Sequence, residues 1–339
     1  MKAALLTAPK TIEIGEIEKP ALQPNEILVK LAFCGICTLE QRLYAGDMKI
    51  YYPIVMGHEA SGRIVETGSA VLNDYAPGTP VALDLVTRCG ECYYCRTGKS
   101  NMCLNRFKKG QRVLGGFGEY IAVKAQQVYK VPEGVSLEES AFTEPIACCI
   151  RSLKRINLSL GEDLLIIGAG PMGIMHLQVA NAMGARVFIS DPNKNRRDAA
   201  LSLGAYKAFD SAQDVPALIK AETEGRGADC VVVTTNAKPA LEACFASLSK
   251  TGRVNIYTSY SDKPPFPMDA NTLHREEFLI TGTEGRTEQD FNTALRLLAF
   301  KKVEVKSLIS KIVSYSNIAE GIEEAMSAKT FRVLLAHEA

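Results

Sequence analysis

The chain has 339 residues, 47% of them hydrophobic, enough for two domains with separate cores. Lys plus Arg number 39 against 38 Asp plus Glu, so neither a basic nucleic-acid surface nor an acidic tail is expected. No stretch reaches the ~18 uninterrupted apolar residues of a membrane span, and Met1–Leu6 reads as a strand rather than a signal peptide. A cytoplasmic location is therefore expected, where the ten cysteines point to metal ligands, catalytic groups or buried thiols rather than disulfides.

In chain order, residues 1 to about 130 read as short β-rich elements punctuated by Gly, Pro and Asn, with strands expected at 27–32 and 118–123. The stretch 88–112 is rich in Gly, Lys and Cys and has no apolar period. It is expected to be a loop organised by something other than a hydrophobic core. From about 147 the pattern changes. Leu164–Ile167 is a continuous apolar run ending in glycines, as for a strand buried on both faces. A helix is expected over 171–183 and a strand over Arg186–Ser190. Further strands are expected at 230–233, 254–257 and 278–280, with helices near 194–203, 214–223 and 239–249. Strands alternating with helices predict a parallel sheet covered on both faces. The last fifty-odd residues carry two helices and a final strand without this rhythm. They are expected to return to the first domain, giving a catalytic domain of 1–146 and 286–339 around a dinucleotide-binding domain of 147–285.

Gly168, Gly170 and Gly173 form a G-x-G-x-x-G with Ala169, Pro171 and Met172, after the buried strand and at the opening of a helix. The first glycine allows a tight turn, the second a close approach of backbone to pyrophosphate, and the third close packing of helix on strand. The helix start supplies N–H groups and partial positive charge to the phosphates. Asp191 follows 23 residues after Gly168. Its carboxylate suits the ribose hydroxyls and repels a 2′-phosphate, which favours NAD over NADP. Arg196 and Arg197 stand against that preference, since an arginine there can serve a 2′-phosphate. Asp191 with Pro192 also suits a plain helix start.

Cys89, Cys92, Cys95 and Cys103 place four thiols within 15 residues. Such spacing suits a loop wrapped tetrahedrally around one zinc with no open position, a structural site. Buried thiols are disfavoured by the polar loop, and a nucleic-acid zinc ribbon by the neutral charge. Three further clusters are Cys34-Gly35-Ile36-Cys37, Gly57-His58-Glu59 and Phe142-Thr143-Glu144-Pro145. Singly they are unremarkable; Cys34 and Cys37 could be a redox pair. Together they supply a thiolate, an imidazole and a carboxylate, leaving zinc one position for water or substrate.

On these motifs the whole chain resembles the zinc-containing medium-chain alcohol dehydrogenases. The run from Gly57 to Val71 matches the family's G-H-E-x2-G-x5-G-x2-V, and the Glu144-Pro145 pair resembles the polyol (sorbitol, iditol) branch. The resemblance implies an α/β protein: a GroES-like β-rich catalytic domain and a doubly wound parallel-sheet Rossmann domain. It implies Cys37, rather than Cys34, and His58 as catalytic zinc ligands. Glu59 would be a ligand at times or an adjacent carboxylate, and Glu144 the third ligand or the holder of a zinc-bound water. Cys34, Cys148 and Cys149 are left as packing residues, and His176, His274 and His337 have no assigned role.

The implied enzyme is an NAD(P)-dependent zinc alcohol or polyol dehydrogenase with two zincs per chain, acting on a small alcohol or ketone as a homodimer or homotetramer. Zinc lowers the pKa of a bound water from roughly 15.7 to 7; a comparable effect on an alcohol is worth roughly 12 kcal/mol. The chain departs from its relatives after the ligand cysteine, where they carry a relay hydroxyl. Leu39, Glu40 and Arg42 stand here. Leu39 cannot relay a proton, leaving Glu59, Glu144, Thr38 or Tyr44 as routes. Arg42 would meet an anionic or polyhydroxylated substrate or form a surface ion pair. Pocket walls are expected from loops near 42–56, 107–117 and 259–290. A zinc-free enone or quinone reductase and a non-catalytic binding protein on the same fold are the alternatives.

Overall fold

The structure, a computed structural model, describes the chain except residues 49, 73, 107–113, 261–262, 265, 328 and 338–339. Parts of all three loops expected to wall a substrate pocket lie outside the described residues. The chain divides into two compact units, Met1–Pro145 with Thr287–Ala339, and Ile146–Arg286.

The first unit is built on a seven-stranded sheet. Its order is Ile309–Val313, Arg332–Ala336, Glu26–Ile36, Glu59–Thr67, Pro80–Asp84 and Val128–Lys130, with Tyr120–Lys124 also paired to Glu26–Ile36. The long strand Glu26–Ile36 is the spine. Ile27, Leu28, Val29, Leu31, Cys34 and Ile36 are buried along it, and their β-branched and apolar side chains suit a sheet covered on its faces. Register positions the site: Gly35 lies opposite Glu59 on one side and Leu334 on the other. A smaller antiparallel sheet joins Thr11–Glu16, Lys2–Ala8 and Ile54–Val55.

The second unit holds six parallel strands in the order Lys207–Phe209, Arg186–Ser190, Asp163–Ile167, Ala228–Val233, Leu248–Ile256 and Leu279–Gly282. The first strand in sequence is third in space, and the order reverses beside it, as in doubly wound dinucleotide-binding sheets. All five residues of Asp163–Ile167 are buried, as the apolar run predicts. Helices Pro171–Ala182, Lys194–Ser202, Val215–Glu222 and Pro239–Ala246 fall where expected. Several elements across the chain were not expected from the sequence, among them the helices Thr38–Ala45 and Thr143–Arg155. Lys207–Phe209 has only three residues, Ala270–Arg275 is a short helix with no buried residue, and Ile309–Val313 carries the polar Ser310 and Lys311. No helix among the described residues is long and apolar enough to cross a membrane.

Inside the second unit His176 is fully buried in Pro171–Ala182, where its Nδ1 donates to the Met172 carbonyl at 2.7 Å. Burial lowers its pKa to about 4 from 6.5. Below pH 6.5 the unfolded chain takes up a proton that the folded chain refuses, so stability is lost as pH falls towards 4 and is fully present above 6.5. At about 1.36 kcal/mol per unit this amounts to about 3 kcal/mol. Urea unfolding across that range should show a steep fall for the native protein and a shallower one for His176→Gln; equal slopes would refute the assignment.

Candidate active site

Cys37 closes the spine strand and caps the helix Thr38–Ala45. Its sulfur accepts from the Leu39 N–H at 3.1 Å, and its own N–H donates to Glu40 Oε2 at 3.0 Å. This is a reciprocal capping box with a cysteine in the place of Ser or Thr. Glu40 is wholly buried, and its Oε1 lies 2.7 Å from His58 Nδ1. A carboxylate only accepts, so Nδ1 carries a proton, which leaves Nε2, 3.6 Å from Cys37 Sγ, as the ring nitrogen that can ligate a metal. Cys37, His58 and Glu59 offer donor atoms that all lie within 4.8 Å of one another. The Glu59 carboxylate also meets Arg332 Nη2 at 3.2 Å, and Arg332 Nη1 donates to the Ile36 carbonyl at 3.1 Å.

Burial and charge set the protonation of this group. Burial, then the Glu40 charge, raises Cys37 to about 12. Burial raises Glu59 to about 7, opposed by Arg332 and reinforced by Glu144. Burial works to raise Glu40 too, but His58 outweighs it and holds Glu40 below its ordinary value. Cys37, Glu40, Glu59 and Glu144 all act on the buried guanidinium of Arg332. Three carboxylates and a thiol crowd around Arg332 and His58, and a divalent cation would favour the charged forms of the thiol and of Glu59 that burial disfavours. A thiol, an imidazole and a carboxylate are the donor types zinc takes.

The predicted site residues are not all equally close. Glu144 is buried in the first turn of Thr143–Arg155, and its charge is felt by Glu59 and Arg332. Its oxygens stand outside the three-residue donor group. Thr38 is exposed, Leu39 and Arg42 are half-buried, and the Tyr44 hydroxyl donates to Glu323 at 3.1 Å.

The cysteine quartet also converges within 4.8 Å. Cys89 and Cys103 sulfurs are 3.6 Å apart, and those of Cys89 and Cys95 are 4.0 Å apart. A tetrahedron with Zn–S bonds of about 2.3 Å has edges of about 3.8 Å, so the spacing fits one zinc. Backbone N–H groups of Cys89, Cys92 and Asn105 point at these sulfurs at 3.3–3.4 Å. Such donors favour the thiolate, and those of Cys92 and Glu91 lead in lowering Cys89 to about 6. The lobe is tied down by the buried pair Arg88–Asp84 at 2.6 Å and by a Ser100–Glu288 hydrogen bond.

In the second unit Gly168 has φ +106°, outside the range of ordinary side chains, and a Cβ on Gly173 would fall 1.9 Å from the Gly168 carbonyl oxygen. Gly170 caps Pro171–Ala182 with open space before it, where the nearest atom to a Cβ is Arg196 Nη1 at 3.8 Å. Pro171 and Met172 form the first turn. Buried Asp191 accepts from the Ala169 and Asn193 N–H groups, each at 2.8 Å. It is thereby locked against the glycine turn. Arg197 donates to the Asp191 and Pro192 carbonyls and pairs with Asp210 at 3.0 Å.

Family models match in the same order: an alcohol dehydrogenase GroES-like domain over residues 23–133 and a zinc-binding dehydrogenase domain over 171–299. L-threonine 3-dehydrogenase of Pyrococcus abyssi is 30% identical over 343 residues, covering 98% of each chain. The chain belongs to the zinc-containing medium-chain alcohol dehydrogenases. Sorbitol dehydrogenase of Halalkalibacterium halodurans is 28% identical and covers 99% of each chain, in keeping with a place near the polyol branch. A solved zinc-binding dehydrogenase from Sinorhizobium meliloti, bound to NADP, superposes with a TM-score of 0.92 at 28% identity, covering 99% of this chain and 98% of its own. The enzyme is thus a zinc- and nicotinamide-dependent oxidoreductase.

Two residues of this dehydrogenase's site were not read as such from the sequence. Glu40 was legible only as the partner three residues after a helix cap, with cysteine as an unusual cap. Arg332 gave no local signal, since it reaches Glu59 only through sheet register. Replacing Glu40 with alanine frees the His58 ring and should weaken zinc at this centre by roughly 10–100-fold. Competition with a metal chelator measures this, and unaltered retention would show that Glu40 does not orient the ligand.

Proposed function

We propose that this dehydrogenase moves a hydride between a secondary alcohol of the polyol or sugar-alcohol type and NAD. Residues 1–146 and 286–339 form the catalytic domain and 147–285 the cofactor domain. One zinc is held by Cys37 and His58 with Glu59 and Glu144 beside it, and a second by Cys89, Cys92, Cys95 and Cys103. The observation that carries the reading is the buried donor group of Cys37, His58 and Glu59, with His58 locked by Glu40 at 2.7 Å.

Zinc, when bound, serves as a Lewis acid for the substrate oxygen, and the nicotinamide takes up or gives the hydride. The chain's residues do the rest. Cys37 and His58 present sulfur and Nε2 from a strand end and a turn fixed by sheet pairing. Glu40 keeps the proton on His58 Nδ1, so Nε2 stays a donor to metal. Leu39 has no hydroxyl, which leaves Glu59 and Glu144 as the carboxylates that can accept the alcohol proton, directly or through water. The polyol reading is supported by the likeness to sorbitol dehydrogenase.

NAD is favoured by Asp191, whose carboxylate is pinned beside the glycine turn where a 2′-phosphate would meet a negative charge. Arg197 is already committed to Asp191, Pro192 and Asp210, which leaves Arg196 as the basic side chain over the turn. A homodimer or homotetramer in the cytoplasm completes the proposal.

Metal analysis should give two zincs per chain, and near-ultraviolet absorbance should report NADH formation with sorbitol or a related polyol. Cys37→Ala should retain one zinc and lose turnover. Inertness across polyols, simple secondary alcohols and L-threonine would overturn the reading, as would a zinc-free active protein.

A further inference from the structure

Residue 35 is a glycine where the backbone requires none. It lies within the regular strand Glu26–Ile36, and its φ is outside the left-handed range that favours glycine. A side chain there is excluded by Glu59, its partner across the sheet. A Cβ built on Gly35 falls 2.0 Å from Glu59 Oε2 and 3.1 Å from Glu59 Cβ and Cδ. Carboxylate ends on a surface swing away from such contacts at little cost. This one cannot do so easily. Glu59 is 2% exposed, its other oxygen is 3.2 Å from Arg332, and Arg332 is held in turn by the Ile36 carbonyl.

We propose that Gly35 is a positioning residue whose bare Cα seats the Glu59 carboxylate. The seat lets Glu59 fold back along the sheet and stay paired with Arg332 beside Cys37 and His58. A side chain at 35 lifts the carboxylate off, breaks the pair with Arg332 and disturbs the donor group two residues further on. The inference rests on the reading of Cys37, His58 and Glu59 as the catalytic metal centre. It adds that the glycine between the two cysteines of this segment is there for the carboxylate and not for the chain's path.

The test is a double-mutant cycle. Gly35→Ala alone should speed the loss of metal from the Cys37 centre to a chelator by roughly 10–100-fold and lower the Tm. It should also change the visible spectrum of that centre in the cobalt-loaded protein. In a Glu59→Ala background the same substitution should lose most of these effects, keeping only the strain of the 3.1 Å contact to Cβ. Equal effects in both backgrounds, or none on the metal in the first, would overturn the proposal. If Gly35→Ala alone does not fold, its recovery by adding Glu59→Ala supports the inference, and failure to recover while Glu59→Ala folds contradicts it. If Glu59→Ala cannot fold with Arg332 stranded, Glu59→Asp, one methylene shorter, takes its place in the cycle and is judged by the same outcomes. None of these readouts needs a substrate, so their failure would leave the hydride-transfer reading to its own test.

Discussion

The contact on which the proposed metal centre depends is between a carboxylate removed from water and an imidazole. Glu40, with no exposure, holds His58 Nδ1 at 2.7 Å. A buried carboxylate is costly unless its lone pairs are used. Glu40 spends one oxygen on the Cys37 N–H and the other on His58. One side chain therefore fixes the cap that orients the sulfur and the ring orientation that turns Nε2 towards it. Hydrogen bonds close along the chain hold the sulfur and the imidazole in place.

The sheet supplies the rest through register. Because Glu26–Ile36 lies between Arg332–Ala336 and Glu59–Thr67, the end of one strand, the start of the next and an arginine near the C-terminus meet at one level. The same packing sets the electrostatics. Several acidic groups crowd around Arg332, a balance that suits a divalent cation. In the second unit the glycine turn works by a related economy, with side chains absent where the Gly168 carbonyl and a phosphate need room.

Much of this was legible in the sequence because it depends on local spacing. The apolar run Leu164–Ile167 followed by Gly168, Gly170 and Gly173 announces a buried strand, a turn and a helix, and the doubly wound sheet follows. The quartet from Cys89 to Cys103 announces a loop whose four sulfurs converge. What was not legible depends on distance along the chain or on weak pattern. Arg332 donates to Ile36 across 296 positions, and no periodicity foretells such a pair. Glu40 stands where an ordinary exposed helix glutamate could stand, and only burial reveals its task. Glu144 was named with the donors, yet the structure places it beside them, near enough to act on Glu59 by charge. Lys207–Phe209 and Ile309–Val313 are strands by virtue of their neighbours, being too short or too polar to declare themselves.

The central claim is that Cys37 and His58 face one ion. Anomalous diffraction recorded on either side of the zinc absorption edge, from zinc-saturated crystals, tests it most directly. The account predicts a zinc peak about 2.3 Å from Cys37 Sγ, bonded also to His58 Nε2, apart from the peak enclosed by Cys89, Cys92, Cys95 and Cys103. Density showing His58 turned away from Cys37, with no zinc peak between them, would contradict it.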